Sequence, residues 1–230
     1  NVTVEVSRLG GDDFWAALRT VIASGDIHDL FSVQAGTMLT DFVAADLLEP
    51  IDGLPVLAQY SPGIQAVGQR NGTQYGIPAA VNAMGIVYNV DIFDELGVEI
   101  PRTVSELEAI TQVIADAGYI PFAAYYNDVW TLRHLFSQVH TPLVEDISVF
   151  VSEMDSGMRD TFEVDGVDRA LDVVDLMNGN VQERPFDSTF GDATALMAQG
   201  EIAMIIQGIW AVGNITNINP DFNPGLFEVP

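Results

Sequence analysis

Gln74–Asp94 reads QYGIPAAVNAMGIVYNVDIFD. It joins a tight turn, an apolar strand and the start of a helix, and it sets one polar residue, Asn82, inside an otherwise apolar run. A second block, Gly200–Asn214 (GEIAMIIQGIWAVGN), has the same build: a turn, a fully apolar strand, then another turn. Two such strands far apart in sequence are expected where a chain crosses between two lobes, and a gap between lobes is a common place for a small molecule.

Around these blocks, strand and helix patterns alternate. Val2–Val6 alternates apolar and polar residues like a half-buried strand. Gly10-Gly11-Asp12-Asp13 breaks it and offers a helix N-cap. Phe14, Leu18, Val21 and Ile22 then recur at helical spacing as far as Ser24-Gly25. Leu30–Val33 is a short apolar strand, followed by the turn Gln34-Ala35-Gly36-Thr37 and a helix through Leu39, Phe42 and Val43. Asn71-Gly72 is a two-residue hairpin signal, because both positions of that turn favour positive φ. Ile86–Tyr88 completes a buried strand. Thr103-Val104-Ser105-Glu106 fits a capping box ahead of a helix carrying Leu107, Ile110, Ile114 and Ala117, closed by Gly118. Further strands are expected at Ile120–Tyr126, Ile202–Ile206 and Gly225–Val229, and helices at Val129–Val139, Val167–Met177 and Phe190–Gln199. The alternation predicts an α/β fold in layers with largely parallel sheets.

Composition narrows the possible chemistry. The chain has 230 residues, 48% of them hydrophobic, and no cysteine, so disulfides, thiolate nucleophiles and thiolate metal sites are excluded. Its 33 acidic residues face 8 basic ones, all arginine, for a formal net charge of −25. Such a surface repels nucleic-acid phosphates and anionic lipid, so no nucleic-acid partner is expected. No apolar run is long enough to insert in a membrane. His28, His134 and His140 do not share a metal-ligand spacing, so no metal or other cofactor is expected. There is no lysine for a phosphate-binding GxxxxGK[ST] loop and no GxSxG nucleophile turn.

Four segments carry a resemblance to a known family: LRTVIASGDIHDLF (Leu18–Phe31), DFVAADLLEPID (Asp41–Asp52), Gln74–Asp94 and LMAQGEIAMIIQGIWAVGN (Leu196–Asn214). In this order and spacing they resemble the extracellular solute-binding proteins of ABC importers, in the sugar-binding group that includes maltose-binding protein. The sequence departs from that pattern at His28, where many members carry proline. The resemblance implies a two-lobed α/β fold of the type II periplasmic-binding-protein kind, here expected to be a fragment lacking the N-terminal strand and the C-terminal part. It places residues 1–82 in part of the first lobe, 83–207 in the second, and 208–230 in a return to the first. Hinge motion is expected at Asn82–Val87 and Ile206–Gly208. It further implies a monomer outside the cytoplasmic membrane, periplasmic or a cell-surface lipoprotein, that binds a small carbohydrate, hands it to a membrane permease and is not an enzyme.

A sugar offers flat C–H faces and a ring of hydroxyls, so its site calls for aromatic platforms flanked by amides and other polar groups. A buried polar group left unpaired costs roughly 1–3 kcal/mol, and rigid aromatics give contact area at little entropic cost. The candidates are Trp210, after the apolar strand; Tyr125, Asn127 and Trp130, in a strand-to-helix turn; Gln34 and Thr37, in the turn after Leu30–Val33; and Asn82, read as a buried amide. For each there is a structural alternative: a core indole for Trp210, a helix-end cover for Trp130, a core phenol for Tyr125, an N-cap for Thr37. Arg133 and His134 approach from the helix of Trp130, with a surface ion pair the alternative for Arg133. A cationic ligand such as a polyamine and a glycoside hydrolase are the competing functions. The second needs two carboxylates about 5–10 Å apart, and nothing marks one pair out.

Overall fold

The computed structural model describes residues 3–7, 14–25 and 27–230. These fall into two compact units that divide between Val81 and Asn82. Gly10–Asp13, the expected strand break and N-cap, lie outside the described residues, as does Val2 of the expected first strand. The remainder of that segment, residues 3–7, is irregular and exposed.

The first unit is built from short pieces. α1 (Phe14–Ser24) buries Leu18 and ends at Gly25, whose φ of 78° suits the left-handed turn that closes a helix. The expected strand at Leu30–Val33 does not form, and Leu30 is 89% exposed. Apolar residues alone do not make a strand; a neighbouring backbone must take up its N–H and C=O groups. Gly36, at φ 91°, is the N-cap of α2 (Thr37–Ala44), so Thr37 is the first helical residue and not the cap. α3 (Pro62–Val67) leads into β1 (Gln69–Arg70), which pairs antiparallel with β2 (Thr73–Gln74). Asn71 and Gly72 have φ of 52° and 80°, the hairpin turn that the dipeptide predicts. Buried Gln74 ties the unit together: its side-chain NH2 donates to the carbonyls of Gln65 (3.1 Å) and Gly76 (2.6 Å), and its backbone N–H donates to Asp52 Oδ1 (3.2 Å).

The second unit is a three-layer sandwich around a four-stranded sheet of order β4-β5-β3-β6, with β3 at Met84–Asn89, β4 at Ile120–Phe122, β5 at Ile202–Gly208 and β6 at Pro224–Phe227. β3 and β5 are antiparallel partners, Ile86 opposite Ile206, Val87 opposite Ile205 and Tyr88 opposite Met204. Ile86, Tyr88, Met204 and Ile206 pack against α4 (Val90–Leu96), α5 (Val104–Asp116), α6 (Trp130–His140) and α8 (Val167–Asn178), through Phe93, Leu107, Val139 and Val173. Val87 and Ile205 pack on the other side with Met197 of α9 (Phe190–Ala198) and Ile215 of α10 (Trp210–Ile218). α7 (Ile147–Ser156) completes the unit. The expected capping box of α5 is present in altered form. Thr103 Oγ1 accepts from the Glu106 N–H at 3.2 Å, while the Glu106 carboxylate accepts from the N–H of Arg102, not Thr103, at 2.6 Å.

Two expectations are corrected. The sheet is not largely parallel: β4 and β5 run parallel, but β3 is antiparallel to both β5 and β6. A strand covered by helices on both faces is apolar whichever way its neighbours run, so an apolar run does not report strand direction. Residues 208–230 do not return to the first unit, because β6 hydrogen-bonds to β3 and α10 packs beside α9. Residues 84–87 and 206–208, in the stretches where hinge motion is expected, lie in the β3–β5 ladder, and all but Met84 are buried.

Among the described residues two ion pairs join arginine to carboxylate, Arg159 to Glu153 at 3.0 Å and Arg184 to Asp187 at 2.7 Å. With 33 acidic residues in the chain, most negative charge is left to repel its like. Raising NaCl from about 0.1 to 1 M shortens the screening length from about 10 to 3 Å. The melting temperature in calorimetry is expected to rise, by about 2–4 °C for each kcal/mol of repulsion relieved; an unchanged or lower value would contradict this reading of the surface.

Candidate functional site

Three helices of the second unit each begin with an aromatic residue: Trp130 opens α6, Phe190 opens α9 and Trp210 opens α10. Local bonds bring the first two together. The turn before α6 is closed by Asp128 N–H to Tyr125 O (3.2 Å) and by the Thr131 hydroxyl to Asp128 O (2.7 Å). The Asp128 carboxylate then accepts from the backbone N–H of Phe190 at 2.5 Å, holding the start of α9 against this turn. A carboxylate there also suits the positive end of the α9 dipole.

The rings form a continuous chain. Tyr125 meets Phe190 at 5.5 Å, and Phe190 meets Trp130 at 5.5 Å and 74°. His134, one turn along α6 and on the same face as Trp130, lies 5.4 Å from it at 81°. The same imidazole lies 5.5 Å from Trp210. Edge-to-face and tilted contacts of this kind are the favoured aromatic geometries.

Beneath the rings, the end of β5 is fixed by polar bonds. Gln207 has no exposed surface; its NH2 donates to Tyr125 Oη and its carbonyl oxygen accepts from the Gly208 N–H, both at 3.0 Å. The Tyr125 hydroxyl in turn donates to Ile206 O at 3.2 Å. Gly208 leaves room for the Trp210 ring, since a Cβ on residue 208 would sit 2.0 Å from Trp210 Cζ3. Burial raises the Tyr125 pKa far above its ordinary 10, so the hydroxyl keeps its proton. Burial, with Arg133 adding to it, holds the His134 pKa below 6.5, so that imidazole is neutral at pH 7.

Four sequence candidates therefore gather in the second unit. Trp130 is 37% exposed, Trp210 is half-buried and Asn127 is exposed, with its N–H donating to Ser188 O at 3.2 Å. Tyr125 is 4% exposed and lies under the cluster. Asn82 is exposed, not the buried amide expected; it precedes β3, outside the covered part of the sheet. Gln34 and Thr37 belong to the first unit and both are exposed. Arg70 holds their turn, donating to Gly36 O at 2.5 Å and Thr40 Oγ1 at 2.6 Å. Arg133 makes no ion pair among the described residues, contrary to the structural alternative for it. Sequence reading missed Phe190 and Gln207. The available signal was an aromatic opening each helix and a Gln-Gly pair ahead of Trp210.

A cavity of about 20 Å³ lies between Tyr125, Thr131, Leu135, Met177 and Ile206, room for one water molecule and far too small for a sugar. Among the described residues no three His, Asp or Glu side chains are grouped to hold a metal ion, and no helix is long and apolar enough to cross a membrane. Replacing Gln207 with alanine removes both bonds from a sealed position and orphans the Gly208 N–H. A loss of about 1–3 kcal/mol is expected in urea unfolding; a neutral result would show that Gln207 does not hold the end of β5.

Comparison with known proteins follows the same lines. The chain is 23% identical over 235 residues to the multiple sugar-binding protein of Streptococcus mutans, a match covering 100% of this chain and 56% of the relative. It superimposes on the apo form of RafE from Streptococcus pneumoniae with a TM-score of 0.74 at 24% identity, covering 96% of this chain and 58% of that one. A chitin oligosaccharide binding protein gives a TM-score of 0.74 at 26% identity, covering 95% and 56%. The chain thus spans about half the length of the curated relatives it matches, 52% and 56% for two of them. The fold is that of type II periplasmic binding proteins. The family model described as bacterial extracellular solute-binding protein matches residues 1–228, and the chain belongs to that family.

Proposed function

We propose that the protein binds a small carbohydrate, a mono- or oligosaccharide, outside the cytoplasmic membrane and delivers it chemically unaltered to the permease of an ABC importer. It does so as a periplasmic protein or a cell-surface lipoprotein. The observation that carries this reading is the pair of part-exposed indoles, Trp130 and Trp210, joined through His134. Indole faces and edges match sugar C–H surfaces, and Asn127 offers an amide to hydroxyls from the same turn. Asn82, at the start of the same unit, is exposed as well. Tyr125 is sealed beneath, and acts by holding Phe190 and the end of β5 instead of touching the sugar. The Streptococcus mutans relative is named for sugars and a solved neighbour for chitin oligosaccharide, which supports the same class of ligand.

A neutral ligand also fits the local charge. One oxygen of the Asp128 carboxylate accepts from Phe190, and the Arg133 cation next to His134 offsets the carboxylate's charge. A polyamine would need free carboxylates among the rings. The test is a thermal-shift screen against neutral oligosaccharides. At a hundredfold excess over the dissociation constant the correct sugar stabilises the protein by about 2.7 kcal/mol. Trp210→Ala is expected to abolish that shift. A shift that survives in the variant, or a wild-type protein indifferent to every sugar, would overturn the assignment.

A further inference from the structure

Among the aromatic rings of the described residues, His134 is the one that meets both Trp130 and Trp210. It reaches Trp130 along its own helix and Trp210 across to another, at 5.4 and 5.5 Å. It is neither sealed in the core nor fully exposed. Core histidines satisfy their ring nitrogens, as His140 does in the same helix, with Nε2 2.7 Å from Phe162 O. Among the described residues neither ring nitrogen of His134 has such a partner; outside the backbone bonds of its helix, its hydrogen bond is one its carbonyl accepts from the Ser137 hydroxyl. The His134 nitrogens are not among the sealed unpaired atoms of the described residues, so they remain reachable from solvent while the ring is held against two indoles, and a ligand hydroxyl could take them up.

We infer that His134 is a ligand-contacting residue, whose imidazole nitrogens bond a sugar hydroxyl while the flanking indoles of Trp130 and Trp210 take the sugar's apolar faces. The inference rests on the carbohydrate reading above and assigns one of its polar contacts. The chemistry is matched. A hydroxyl both donates and accepts, and a neutral imidazole carries one N–H donor and one acceptor nitrogen. The lowered pKa keeps the ring in that neutral form at pH 7. Contacts with two indoles, at 5.4 and 5.5 Å, restrain the ring before ligand arrives, which lowers the ordering cost of binding.

The test compares two substitutions in the full-length protein, with raffinose, maltotriose and chitin oligosaccharides as probes in titration calorimetry. His134→Phe keeps an aromatic ring between the indoles and removes the nitrogens. His134→Gln keeps a donor and an acceptor and removes the ring. For the sugar that binds the wild type, the phenylalanine variant is expected to bind roughly 5–50-fold more weakly, on the scale of a lost hydrogen bond to a neutral group with its partner left unpaired. The glutamine variant is expected to recover part of that loss. Should either variant fail to fold, the wild type supplies the answer through its histidine 15N signals, where saturating sugar is expected to shift the His134 ring nitrogens. Unchanged affinity in His134→Phe, equal losses in both variants, or an unmoved His134 signal would each overturn the inference while leaving the carbohydrate assignment standing. No binding of any probe to the wild type would overturn both.

Discussion

Consecutive cross-strand pairs, from Met84 with Gly208 to Tyr88 with Met204, lock β3 against β5, and the position of nearly every ring in the candidate site follows from that ladder. β5 is buried along its whole length, so its register cannot slip without turning Ile205 and Ile206 toward the wrong helices. Its last residue, Gly208, is thereby fixed, and Trp210 can only stand where the Gly208 backbone gives it room. The same ladder brings Gln207 under Tyr125, which ties the end of β5 to the turn that opens α6. Platform and sheet are one mechanical object.

The site also shows a division of labour between buried and exposed groups. Tyr125 and Gln207 spend their hydrogen bonds on the protein, and one oxygen of the Asp128 carboxylate does so too. Trp130, Asn127, Trp210 and His134 lie outward of them with surface to spare. A rigid, satisfied layer under an unsatisfied one is what preorganised recognition requires, because the cost of ordering the contact residues falls on folding and not on binding.

Much of this was readable from the residues. Hairpin, helices and the two long apolar strands follow from local chemistry: Asn71-Gly72 accepts positive φ, Thr103 caps a helix, and β5 is apolar throughout. Strand direction was not readable, because helices on both faces of a sheet erase the alternation that would reveal it. Nor was the fate of Leu30–Val33, whose apolar residues predict burial but cannot supply a pairing partner. The part-exposed position of Trp130 and Trp210 at the start of helices was legible from their place after apolar strands. That Tyr125 lies beneath them, that Phe190 joins them and that His134 reaches Trp210 depends on contacts between residues 60 to 82 apart in sequence, which no local pattern encodes.

The central claim is that Trp130, His134 and Trp210 form one recognition surface on the second unit. A crystal structure of the full-length protein with the sugar that stabilises it most tests this directly. The account predicts a pyranose ring in van der Waals contact with the indole of Trp210 or Trp130, with a hydroxyl within hydrogen-bond distance of His134 or Asn127. A sugar bound elsewhere, with both indoles untouched, would contradict it.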